Sequence, residues 1–92
     1  MIQPLPANVP VFNCVVHVAA PSGAEPQFVA RVANLAGIET RGRTEREALS
    51  QAVAAFKAAV AAKHAAGEAI PWLVEPIPPL PGQFTRLIAV HL

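Results

Sequence analysis

The sequence predicts an α+β domain of β-β-β-α-β order: a two-layer antiparallel meander of three strands packed by one long helix, then a Pro-rich connector and a fourth C-terminal strand. Three observations lead there. Apolar and polar residues alternate over Val11 to Ala20, Gln27 to Ala33 and Ile38 to Gly42, the period-two pattern of half-buried strands. Leu49, Val53, Phe56 and Val60 then recur at helical spacing and draw one narrow apolar stripe, flanked by Ala52 and Ala59. Between Ile70 and Gly82, five prolines rule out regular helix or central strand.

Taken in order, Pro4, Pro6 and Pro10 favour an extended arm over residues 1–10. In the first strand Phe12, Cys14, Val16 and Val18 share one face, with Phe12, Val16 and Val18 assigned to the core, and Asn13, Val15 and His17 share the other. The turn formers Pro21-Ser22-Gly23-Ala24-Glu25-Pro26 make an antiparallel hairpin with the second strand, where Phe28, Ala30 and Val32 oppose Gln27, Val29 and Arg31. Asn34 to Gly37 turns the chain into the third strand, with Ile38, Thr40 and Gly42 inward and Glu39, Arg41 and Arg43 outward. His17, Arg31 and Arg41 are therefore expected on one outer sheet face, as the candidate partner-binding set. Gly42 marks a place where a side chain would crowd the strand-to-helix corner.

Thr44 and Glu47 have the capping-box spacing and set the helix start near Glu45. Gly67 is a favoured C-terminal cap position, so the helix runs to about Ala66, about 22 residues and about 33 Å. Lys63 and His64 complement the helix dipole there. Residues 67–83 form the connector, which Trp72, Leu73 and Ile77 are expected to pin to the core edge. The last strand, 84–92, is apolar on both faces, with Leu87 and Ala89 on one and Ile88, Val90 and Leu92 on the other. Such a strand wants cover on both sides. A homo-oligomer using Leu87, Ile88, Ala89, Val90 and Leu92 is the expected solution; the long connector leaves open whether the strand joins its own sheet or a neighbour's.

A chain of 92 residues reads as one small domain spanning 1–92, and its 53% hydrophobic content is rich in alanine, so a thin core is expected. Seven basic and six acidic residues give a net charge of +1 and no strong field for phosphate or anionic lipid. Nucleic-acid binding is therefore disfavoured. The single cysteine, Cys14, reads as a small buried thiol, consistent with a reducing cytoplasm. No signal peptide or membrane-length apolar run is read in the sequence. His17, His64 and His91 are far apart, there is no Asp, and no phosphate loop is present, so no metal, cofactor or active site is expected.

The run Val32-Ala33-Asn34-Leu35-Ala36-Gly37-Ile38, followed by Gly42-Arg43-Thr44 and Glu47-Ala48, resembles the HicB-like antitoxin family, with its Leu-Pro-Gly turn, Gly-x-Thr corner and Glu-Ala helix start. The resemblance covers about three quarters of the chain. It departs at Ala33 and Ala36, where the family has prolines, and at Ile38, where it has cysteine. The resemblance implies a partial double-stranded-RNA-binding-domain fold, without catalysis, that neutralises a small basic HicA-like RNA-cleaving toxin by covering its active site. Family members often carry a DNA-binding segment after this domain, and residues 67–92 lack the second helix it would need. A near-neutral surface is poorly matched to a basic toxin. The alternatives are a solitary oligomeric domain with a lost or different partner, weak RNA binding, or a small-molecule site at an oligomer interface near Trp72 and Phe84, drawing on Arg86 and His91.

Overall fold

The structure, a computed structural model, describes residues 10–92; the arm expected over 1–10 lies outside the described residues except for Pro10. Strands β1 (Val11–Ala19), β2 (Phe28–Val32) and β3 (Glu39–Gly42) precede helix α1 (Glu45–Ala65), and β4 (Gln83–His91) ends the chain. These bounds match the alternation in the sequence to within two residues. The strands make one antiparallel sheet in the order β3-β2-β1-β4. The last strand therefore joins its own sheet, beside β1, in a ladder that runs from Val11 opposite His91 to Ala19 opposite Gln83.

Alternation decides which side chains meet the helix. Cys14, Val16 and Val18 of β1 and Ala30 and Val32 of β2 point inward and are buried against Ala48, Ala52, Phe56 and Val60 of α1. Leu49 and Val53, expected at the centre of the helical stripe, lie instead at its flank, partly buried. The reason is the corner between β3 and α1. A Cβ on Gly42 would sit 2.6 Å from the Ala48 backbone nitrogen, so strand and helix approach more closely than side chains allow. Thr40 Oγ1 donates to Ala48 O at 2.7 Å and Gln51 Nε2 donates to Arg41 O at 3.0 Å, which ties the first turns of α1 down onto β3. Alanine is what fits beneath a helix held so low.

Both helix ends follow local rules. Thr44 Oγ1 accepts from Glu47 N at 3.1 Å, one half of the capping box. At the other end Gly67, with φ of +69°, lets Gly67 N reach His64 O and Glu68 N reach Lys63 O, the paired bonds of a Schellman cap. Lys63 Nζ also meets Glu68 Oε2 at 2.9 Å.

Replacing Gly42 by Ala should lower unfolding stability by about 1–3 kcal/mol, because the obstructing atoms are backbone and cannot rotate away. A urea titration followed by circular dichroism reads the effect as a lower midpoint.

Candidate functional site

The connector decides what the outer face of the sheet can offer. It leaves the helix side, where the Trp72 ring lies 5.9 Å from the rings of Phe12 and Phe56, and passes around the end of β2 to the opposite face. Leu73 N donates to Asn34 O at 3.1 Å and Ile77 N donates to Ala33 O at 2.9 Å. Trp72, Leu73 and Ile77 thus pin it, as expected from the sequence. Asn34 prepares the landing: its Nδ2 donates to Asn13 O at 2.8 Å and its Oδ1 accepts from Val15 N at 3.2 Å, extending the ladder of β1 and β2 by one side chain. A residue read from the sequence as turn material is therefore a positioning residue. Its place directly after a strand was the available signal.

His17 lies under this strap. Its Nε2 is 2.6 Å from Ile77 O, and a carbonyl can accept but not donate, so Nε2 carries the proton. In the neutral ring Nδ1 then accepts the Thr85 hydroxyl, 3.0 Å away. His17 is 4% exposed, which corrects its expected place on an open binding face: the sheet side was right, but the connector roofs it. Arg31 stands opposite His17 in the ladder, with Nε and Nη2 buried and without hydrogen-bond partners. Arg41 is exposed and paired to Glu25 at 3.0 Å and Glu39 at 3.3 Å. Its hydrogen bond holds the Glu25 carboxyl below the usual carboxylate range. The three expected partner-binding residues thus do not form one accessible surface.

The accessible surface lies at β4. Leu92 N donates to Pro10 O, which fixes the phase of the ladder with β1: even-numbered residues of β4 bond to β1. Thr85, Leu87, Ala89 and His91 therefore turn their N–H and C=O groups to the open edge, while Gln83 N donates to Leu80 O at 3.0 Å in the turn that precedes the strand. Their side chains stand on the outer face, where Leu87 is 76% exposed and Ala89 is exposed. The expected interface set consequently divides. Val90 is 4% exposed and belongs to the chain's own core, with Ile88 and Leu92 packed against it, because β4 lies in this sheet and its inner face is used there.

The inner side of β4 is incompletely covered, since α1 packs more on β2 and β3. A groove of about 560 Å³ opens between the first turns of α1 and β4, lined by Leu49, Val53 and Ile88 with Thr44 and Glu45 at its rim. Glu45 at the rim is ion-paired to Arg86, whose Nε lies 2.9 Å from Glu45 Oε1 and whose guanidinium is 4.6 Å from the centre of the Phe84 ring. Leu49 and Ile88, distant in sequence, thus line the same groove. His91 and Arg86 are on opposite faces of β4, so they do not converge on a pocket.

Among the described residues, no group of three or more His, Cys or Glu side chains is placed to hold a metal, and no helix is long and apolar enough to cross a membrane. Cys14 is fully buried, and burial pushes its thiol up to about 11. No family model matches this sequence, and no curated protein or solved structure matches it.

Two outcomes follow from this geometry. Changing His17 to Leu removes the donor to Ile77 O and should destabilise the fold by about 1–3 kcal/mol; amide exchange at Ile77 should speed up more than at Val32, because the strap loosens before the sheet. Cys14 should resist Ellman's reagent at pH 8 in the native protein and react fully in urea. Because its folded pKa exceeds the ordinary value of 9.0, the folded state retains the proton, so stability is level below about pH 9 and falls as pH rises toward about 11. A series of urea titrations across that range measures the fall.

Proposed function

We propose that this chain is a non-catalytic protein-binding module whose binding element is β4, and that it is used as HicB-like antitoxins are, to neutralise a small basic RNA-cleaving protein. The observation that carries the binding part is the contrast between the two sheet edges. At one edge, β3 has four residues, and its Glu39 and Arg41 are charged and ion-paired, which discourages pairing with another chain. At the other, β4 has nine residues with no Pro, Gly or Lys and with Leu87 standing free. Such an edge offers a protein partner a row of backbone hydrogen bonds beside an apolar side chain.

The toxin-like identity of the partner rests on the resemblance of residues 32–48 to the antitoxin family. The offset helix supports a protein ligand as well, since the groove beside Leu49, Val53 and Ile88 is apolar with polar residues at its rim. A reducing cytoplasm suits the single, fully buried thiol.

Affinity capture of the tagged chain from its own cells, with nuclease present, tests the reading. The expected result is near-stoichiometric recovery of a small basic protein that cleaves RNA and stops cleaving when purified chain is added back. Recovery of the chain alone, or of a partner whose activity the chain leaves unchanged, overturns the toxin-neutralising role.

A further inference from the structure

We infer that the outward side of the strap, residues 76–81, is a polyproline ligand for an aromatic-lined groove on another protein. This goes beyond the reading of β4 and does not depend on it.

Local chemistry sets the conformation. Each proline holds its own φ at about −65°, and Glu75, Ile77, Pro78 and Leu80 each precede a proline, which drives them out of the helical region toward extended geometry. The conformation that satisfies both is the polyproline helix, with about three residues per turn. At its end Gln83 N donates to Leu80 O across a turn that has Pro81 second and Gly82, at φ of +83°, third. That is the pattern of a type II turn, in which Pro81 keeps an extended ψ, so the strap continues unbroken to Pro81.

Three residues per turn sort this segment into three ridges. Pro76 and Pro79 make one, Pro78 and Pro81 the second, Ile77 and Leu80 the third. The third is held by the domain: Ile77 is half-buried, its N–H donates to Ala33 O and its C=O accepts from His17 Nε2. All four prolines are exposed. A groove of aromatic rings takes two ridges of such a helix, so the ridge held against the sheet does not obstruct it.

Pinning also fixes the ligand before it binds. Leu73 N and Ile77 N are bonded to Asn34 O and Ala33 O, and Leu80 N donates to Gln83 Oε1 at 2.8 Å, so little chain entropy is left to lose on docking. Among the described residues nothing donates to the carbonyls of Pro78 and Pro79, which leaves them for donors in a groove. Val74 is 99% exposed and Leu80 55%, and they extend the apolar surface at either end. No Lys or Arg lies within 74–82, so recognition rests on packing against rings and on hydrogen bonds to carbonyls, with no acidic wall required.

The test titrates the purified, isotope-labelled full chain with two probes, an isolated WW domain and an isolated SH3 domain, both of which carry aromatic-lined grooves. At least one should bind and shift the amides of Ile77, Leu80 and Gly82. Pro79→Ala, a change at an exposed side chain, should weaken that binding by about fivefold or more with an unchanged circular dichroism spectrum, whereas Val74→Ser, off the ridges, should leave it within about twofold. A free peptide of residues 74–83 should bind about threefold more weakly than the chain, because it is not pinned. Binding of neither probe at about 1 mM, an affinity that Pro79→Ala leaves unchanged, or amide shifts confined to β4 overturns the inference. A peptide that binds more tightly than the chain overturns it as well, since the sheet then obstructs the ridges.

Discussion

The close approach of Gly42 to the first turn of α1 is the constraint on which the arrangement depends. With no side chain at this position, the end of β3 lies against the backbone of Ala48, and Thr40 and Gln51 hydrogen-bond across the same corner. A helix anchored there lies low over β2 and β3 and accepts Ala48 and Ala52 beneath it, with Phe56 and Val60 filling the space farther along. Leu49 and Val53 are turned toward β4. The same offset that packs one side of the sheet closely leaves the other side with a groove.

The connector completes the second layer at low hydrogen-bonding demand. Its prolines have no N–H to satisfy, and two of the donors it keeps, at Leu73 and Ile77, are met by carbonyls just past the end of β2. His17 then holds Ile77 from below and Thr85 from the side, so one imidazole joins β1, the strap and β4. The histidine is a structural pin, which accounts for a polar residue in the middle of a strand. Arg31, beside it, has buried nitrogens without partners, and we have no physical account of that.

The two edges of the sheet are treated differently. Ion pairs among Glu25, Glu39 and Arg41 guard the short β3, whereas β4 carries its one ion pair, Arg86 with Glu45, on the inner face and leaves the edge from Thr85 to His91 without one. In a domain this small, a long unguarded edge carrying an exposed leucine is an exposure that pairing relieves. The edge and the groove beside it are the features on which the proposed binding role rests.

The order of elements, the inward face of each strand, the helix start at Thr44, its end at Gly67 and the crowding at Gly42 were legible in the sequence by itself. Each depends on periodicity or on contacts within a few residues, which the chain states locally. Three matters were decided by tertiary structure: the neighbour of β4, the rotation of α1 that moved Leu49 and Val53 off the centre line, and the covering of His17. These depend on groups far apart in the chain, such as His17 with Ile77 and Thr85, separated by 60 and 68 positions. Alternation shows that His17 and Val90 point to opposite sides of the sheet. Whether a strap or a helix then covers them depends on where the connector crosses, and a flexible path of that length has no local signature.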